Sequence, residues 1–474
     1  MVFTFPTFPL LGGIQGGEKN KNEKNRVTQQ MTKTLTILGG GESGIGAALL
    51  AKAKGYEVFV SDFGQIKAAY QADLKQAGIA FEEGKHSEKR ILKSDLVIKS
   101  PGIPDTAPMV KALRERGNLI ISEIEFASKY TSAKLIGITG TNGKTTTAML
   151  THHLLKEGGF NVGLAGNVGQ SFARQVLEKD CDWYVLELSS FQLDDSYELK
   201  LDIAILLNVT PDHLDRYDND FEKYLASKMR IFDMLHPGGD AIYWMDDPYI
   251  GKNITEFTRD LSVHTYLLSR DAAEISFTQN DRLFCVPDIE VSAPRAGISI
   301  KGFHNLLNAT AAGKAALLAG VKGDDLVRAL GTFKNAPHRL EPVRTLDQVE
   351  YINDSKATNV DSVFYALGAF DTPLVWIAGG IDKGNDYGLI EALVQEKVKA
   401  LICLGKDNSK LWTAFENIVP VVKATSDLIK AVRMAKELAE PGDTVLMSPA
   451  CASFDLFSNY EDRGEQYKKA VLAL

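Results

Sequence analysis

From Thr34 onward the chain alternates short apolar runs with stretches of helical period, the pattern of βαβ units and parallel sheets. TLTIL (34–38) predicts a strand, followed by a glycine-rich turn and a helix through AALLAKAKG. YEVFVS (56–61) and DLVIK (95–99) predict two more strands, the second ending at Ser100-Pro101-Gly102, and this block closes near Tyr130. A second block opens with KLIGIT (134–139), a Gly-Lys-Thr turn and a helix, and continues through WYVLEL (183–188) and DIAILLNV (202–209). Residues 240–300 are more polar and alternate at period two in places, which predicts strands beside this block. A third block begins near Pro337-His338-Arg339, with strands around 349–353, 374–378, 400–404 and 444–448. The expected fold class is α/β in three domains. These are a Rossmann-like N-terminal domain (31–130), a central P-loop ATPase-type domain with a parallel sheet (131–335) and a Rossmann-like C-terminal domain (336–474). Residues 1–30 start apolar, are broken by Pro6 and Pro9, and then turn basic at Lys19, Lys21, Lys24 and Arg26. A secretory signal has the reverse order, so this stretch is expected to be a disordered extension or a start-site artefact with Met31 the true start.

Composition narrows the picture further. A length of 474 residues suits about three domains, and 45% apolar with 24% charged residues excludes a mostly disordered chain. No run approaches the roughly 18 apolar residues of a membrane span, so no membrane insertion is expected. A net charge of −8 gives no electrostatic reason to expect a nucleic-acid partner. An anionic ligand must then be held by local glycine loops and single cations. Cys181, Cys285, Cys403 and Cys451 form no CxxC pair. They suggest neither a disulfide framework nor a zinc site, and they suit a reducing, cytoplasmic setting; Cys451 reads as a small packed thiol.

The chemistry lies at the strand ends. GGGESG (39–44) matches GxGxxG through Gly39, Gly41 and Gly44, with Asp62 at the end of the next strand. This dinucleotide fingerprint supports a diphosphate at a helix N-terminus; taken alone it suggests an NAD enzyme. GTNGKTTT (140–147) is more specific, because Lys144 offers a charge for β/γ-phosphates and the Thr145 hydroxyl suits Mg²⁺. It departs from the full Walker spacing in having Ile138 where the first glycine would stand. ATP is the favoured ligand. Glu187, with Ser189 and Ser190 after it, and Asp212-His213 follow two further strands of this block, so they converge on the edge that carries Lys144. Glu187 and His213 suit Mg²⁺. Lys228 lies on an amphipathic helix, where a lone lysine is usually a solvated cation. NDSKATN (353–359), GGIDKG (379–384) and SPACASFDLFSNYEDRG (448–464) each follow a strand of the third block.

Together these motifs resemble the Mur ligases of bacterial peptidoglycan synthesis, from about Met31 to the C-terminus. Within that family the pattern is that of the D-glutamate-adding members. GTNGKTT has Asn142 where the alanine-adding sibling carries His, and the diaminopimelate-adding sibling's Asn-Pro-Arg motif is absent. The resemblance implies a monomeric amide ligase using ATP, two Mg²⁺ ions, UDP-N-acetylmuramoyl-L-alanine and D-glutamate. The UDP moiety would sit on Gly41, Glu42, Ser43, Gly44, Asp62, Phe63, Ser100 and Gly102, with Asn167 and Ser189 serving the muramoyl part. ATP would engage Gly140, Thr141, Asn142, Gly143, Lys144, Thr145, Thr146, Asn305, Asn308 and Arg339. Metal would fall to Thr145, Glu187, His213 and Lys228, the last as a carbamate. D-Glutamate would meet Thr358, Lys383, Ser453, Phe454 and Tyr460. Lys144, Glu187, His213, Lys228 and Arg339 would carry an acyl-phosphate mechanism, with domain closure before chemistry. A folate polyglutamate-type ligase shares the ATPase core but lacks the first block, and a non-enzymatic nucleotide switch leaves the C-terminal clusters unexplained.

Overall fold

The computed structural model describes residues 33–258, 262–268, 282–285, 291–294, 299–300 and 303–474; the segment 1–30 and part of 240–300 lie outside them. The first sheet is parallel, in the order β3 (Ala80–Glu83), β2 (Glu57–Asp62), β1 (Thr34–Leu38), β4 (Leu96–Lys99), β5 (Ile120–Ile121). The second runs β11 (His264–Leu268), β10 (Leu235–Trp244), β9 (Leu201–Leu206), β6 (Lys134–Thr139), β8 (Trp183–Glu187), β7 (Val162–Gly166), also parallel. An antiparallel pair, β12 (Arg282–Cys285) and β13 (Val291–Pro294), falls within the polar stretch. The third sheet is β14 (Glu341–Leu346), β15 (Val349–Asn353), β19 (Thr444–Met447), β16 (Leu374–Ala378), β17 (Val398–Leu404), β18 (Val421–Thr425). It is parallel except for β14, an antiparallel edge strand that the expected Rossmann-like domain did not include.

Strands covered by helices on both faces are apolar throughout rather than alternating, and every residue of β8 and β16 is buried. Glycine is required where helix meets strand: a Cβ on Gly44 would lie 2.0 Å from the Gly39 carbonyl oxygen.

The domains are joined unequally. One apolar core runs from Leu35 and Ile37 of the first sheet, through Ile124 and Phe126, to Leu186 and Leu206 of the second and Phe232 just before β10. Polar ties reinforce it. Buried Glu125 accepts the amides of Tyr197, Glu198 and Leu199 through one oxygen, each at 2.9 Å, and buried Lys99 pairs with Asp195 at 2.9 Å. The apolar clusters of the third sheet, by contrast, contain only residues from Leu340 onward.

Candidate active site

The loop between β6 and the helix Lys144–Glu157 is shaped from behind by the chain leaving β9. Asn208 exchanges side-chain bonds with the Asn142 backbone, 2.8 Å to its amide and 3.0 Å to its carbonyl. Thr141 bonds Thr210 and the Tyr224 hydroxyl, each at 3.1 Å. Gly143 caps the helix at φ 86°, a left-handed value, and a Cβ there would meet Asn308 Oδ1 at 2.4 Å; only glycine suits both demands.

This loop forms one wall of a cavity of about 380 Å³. It is also lined by Asn167, Glu187, Asp212 and His213 of the central domain and by Arg339, Lys356, Thr358, Asn359, Ser362 and Tyr460 from the C-terminal side. Three bonds cross it: Ser362 to Asn142 at 3.1 Å, Thr210 to Asp361 at 2.7 Å and Lys356 Nζ to Thr145 Oγ1 at 3.2 Å. Lys144 folds back on the Gly140 and Thr141 carbonyls at 2.7 Å. Burial lowers its proton affinity, against the opposing pull of Glu187 and Asp212.

Glu187 is 2% exposed. Its Oε1 accepts from Asn167 at 3.2 Å, while Oε2 is buried with no hydrogen-bond partner. A lone buried carboxylate oxygen is costly unless something satisfies it, and a hard divalent cation does so. Among the described residues no three His, Cys, Asp or Glu side chains cluster as a metal site. Glu187, the Thr145 hydroxyl and solvent or phosphate oxygens still match the sparse protein ligation that Mg²⁺ accepts, so the residues fit that ion. His213 is held at φ 52°, and burial lowers its proton affinity against Asp212.

Lys228, far from being a solvated surface cation, is 2% exposed. It donates to the Gly140 carbonyl at 2.9 Å and lies over the Tyr224 ring. Burial first, then neighbouring Lys144, holds its amine well below the ordinary lysine range.

A second cavity, of about 500 Å³, lies on the other side of Asn142 and Gly143 and includes Trp244, Asp246, His304, Asn308 and Tyr365. Asn308 bonds buried Asn305 at 3.3 Å, and burial pushes His304 down to about 3. Arg339 stands 3.9 Å from buried Asp354, whose carboxyl burial raises to about 6. Thr358 and Tyr460 reach the 380 Å³ cavity; Lys383, Ser453 and Phe454 are not among its lining. Lys383 and Phe454 are exposed and Ser453 is buried.

At the first sheet, Asp62 ties two loops together, accepting from the amides of Gly40 at 2.6 Å and Gly64 at 2.7 Å. Both oxygens are thus engaged before any ribose arrives. Phe63 is 74% exposed and faces His86 at 5.8 Å. Ser100 packs so closely on Gly39 that a Cβ there would meet its hydroxyl at 2.4 Å. Glu42 accepts from the Ser171 amide and the Tyr70 hydroxyl. Gly41 is the N-cap of the helix Glu42–Ala53, whose first turn contains Ser43, and open space surrounds Gly41 and Gly102. Ser189 is engaged in a capping box with Gln192.

Sequence reasoning missed Lys356, Asn208, Tyr224, His304 and Tyr365. Asn208 and Lys356 each follow a strand, β9 and β15 respectively, the kind of position that singled out Glu187; the others carry no local mark.

Comparison with known proteins places these features in context. Residues 35–109 match the family description "MurD N-terminal domain", 138–316 "Mur ligase middle domain" and 338–451 "Mur ligase, glutamate ligase domain". A Cytophaga hutchinsonii protein named UDP-N-acetylmuramoylalanine--D-glutamate ligase is 50% identical over 448 residues, spanning 94% of this chain and all of that one. A Bacteroides fragilis protein of the same name is 48% identical over 93% of this chain and all of its own length. Among solved structures, a pseudomurein peptide ligase type C from Methanothermus fervidus shares the fold (TM-score 0.60, 19% identity, 93% and 99% coverage). So does the MurF ligase of Thermotoga maritima in complex with ADP (0.57, 18%, 88% and 95%).

Proposed function

The chain belongs to the Mur ligase family, and we propose that it is the member that joins D-glutamate to UDP-N-acetylmuramoyl-L-alanine. It is then an ADP-forming ligase that makes a carbon–nitrogen bond in peptidoglycan synthesis, working in the cytoplasm as a monomer. The observation that carries this reading is the cavity shared by the phosphate loop, the unpartnered Glu187 oxygen and the NDSKATN and Tyr460 segments. It brings a phosphate-activating edge and the D-glutamate-type segments to one place.

The alanine carboxylate of the UDP substrate attacks the γ-phosphorus of ATP, ADP leaves, and an acyl phosphate remains. The D-glutamate amine then attacks the acyl carbon, loses a proton and expels phosphate. Every species except the amine is anionic, so the residues act by positioning and charge neutralisation. Lys144 lies along the β/γ-phosphates and Arg339 faces the γ-phosphate from the other domain. Asn167 and His213 orient the alanine carboxylate, and Asn308 with His304 and Tyr365 forms the base side of the 500 Å³ cavity. Thr358, Lys383, Ser453, Phe454 and Tyr460 hold D-glutamate, which needs the GGIDKG and SPACASF loops to move toward the cavity. Glu187 and Thr145, with His213 and a carbamate of Lys228, would hold Mg²⁺, which when bound would supply charge stabilisation to the phosphoryl group. The depressed amine of Lys228 favours that carbamate, because only a neutral amine captures CO₂; the product is an anionic oxygen ligand and one proton. The test is phosphate release from ATP with each substrate omitted in turn. Release should require both the UDP substrate and D-glutamate, with L-glutamate a poor replacement. Equal release with L-alanine or diaminopimelate as the amine would overturn the assignment.

A further inference from the structure

Lys144, Arg339 and Lys356 line the cavity against Glu187 and Asp212, and Lys228 is buried behind the loop. Lys144 and Lys228 donate to loop carbonyls, and Lys356 donates to the hydroxyl of Thr145. Lys356 differs from the other two in origin. It sits just past β15 and reaches the phosphate loop from the opposite domain, 211 positions away in sequence. Its ammonium also lies over the Tyr460 ring at 5.6 Å.

Thr145 is the hydroxyl assigned to Mg²⁺ above. An ammonium at 3.2 Å and a divalent cation cannot share that oxygen without repulsion. Arrival of metal and nucleotide must therefore displace Lys356 from Thr145; Glu187 and Glu461 already act on its ammonium, and with Glu187 engaged by the metal the anion that enters beside it is the terminal phosphate. We propose that Lys356 is a γ-phosphate-binding residue delivered by the C-terminal domain, holding the Thr145 hydroxyl until the triphosphate replaces it. This rests on the ligase reading and adds a consequence: the C-terminal domain gains a contact with ATP that ADP lacks, so closure follows the triphosphate.

The test compares wild type with Lys356→Met, which keeps the unbranched stem, and Lys356→Arg, which keeps the charge. Binding of a non-hydrolysable triphosphate analogue and of ADP, each with Mg²⁺, is measured by calorimetry without the other substrates. Loss of one charge-assisted hydrogen bond corresponds to about a ten- to hundredfold weakening. Lys356→Met should weaken the analogue by that factor and ADP by less than about threefold. Lys356→Arg should recover most of the analogue affinity. In the ligation assay the KM for D-glutamate should stay within about twofold while turnover falls. Equal weakening of both nucleotides would mark a structural lysine and overturn the proposal. Unchanged binding, or a rise in the D-glutamate KM alone, would overturn it too, the latter by making Lys356 an amino-acid contact. Wild type that releases no phosphate with all substrates present would overturn the ligase reading instead, while the nucleotide comparison would still report on Lys356.

Discussion

Replacing Lys228 with methionine should stabilise the protein while nearly abolishing ligation. Lys144 and Lys228 donate to one carbonyl oxygen, that of Gly140, at 2.7 and 2.9 Å, so their nitrogens are at most 5.6 Å apart. Two unit charges at that separation repel by about 3 kcal/mol at an effective dielectric constant of about 20. Burial of Lys228 adds to this, and its amine is held well below the ordinary 10.5. The unfolded chain binds that proton up to about pH 10.5 and the folded chain releases it earlier. Wild-type stability therefore climbs with pH across that interval and is penalised below it. Methionine carries no such penalty, keeps a thioether against Tyr224 and leaves Gly140 its bond from Lys144. In bicarbonate-free buffer without Mg²⁺, the variant should melt above wild type at pH 7, by about 1–2 °C per kcal/mol relieved for a unit of this size. The gap should narrow toward pH 10. A variant that melts lower, or a gap that does not change with pH, would refute the shared-carbonyl argument. Lys228→Arg, permanently charged, should be destabilised and inactive, and acetate should restore part of the activity of Lys228→Ala. Full activity in Lys228→Arg would sink the carbamate reading.

Other expectations follow from single contacts. Lys383→Ala should raise the KM for D-glutamate about ten- to a hundredfold, the loss of one charge-assisted contact, and leave that for ATP nearly unchanged; a joint rise would make Lys383 a closure residue. Glu125→Ala removes the acceptor of three amides, of which that of Leu199 is buried, and should cost about 1–3 kcal/mol, read from the shift in urea midpoint, with Glu125→Gln losing less; no measurable loss would contradict the three-amide bond. Burial raises Glu123 from 4.5 to about 7, against bonds from Ala173 and Ser171. The unfolded state loses this proton first, so the stability linked to it is full below pH 4.5 and fades as pH rises through about 7, by on the order of 3 kcal/mol. Wild type should therefore lose melting temperature relative to Glu123→Gln between pH 4.5 and 8; parallel curves would contradict it.

Interior strands of the second and third sheets were readable because burial on both faces makes them largely apolar runs; β6, β15 and β16 coincide with their expected spans. Those that escaped lack such a run: β7 is VGLAG, β18 is the edge segment VVKAT and β5 has two residues. The strand–loop–helix at 140–147 was legible because its glycines, lysine and threonines lie together in sequence. Asp62 shows the limit of local reading, since the same fingerprint accommodates an acid that ties loops. Lys228 shows another, because its depth comes from Gly140, 88 positions away, and no helical periodicity encodes that. Lys356 stood in a motif already singled out, yet its partner lies in another domain.

The continuous apolar core between the first two sheets, set against clusters of the third that contain only its own residues, bears on ancestry. A module joined to its neighbours mainly by polar contacts can be exchanged by recombination without unpicking a packed interior. The activating half of such an enzyme can then be inherited unchanged while the half that selects the incoming amine diverges. A chimera joined near residue 335 should accordingly fold, whereas one joined near residue 130 would have to rebuild its interior from two unmatched halves.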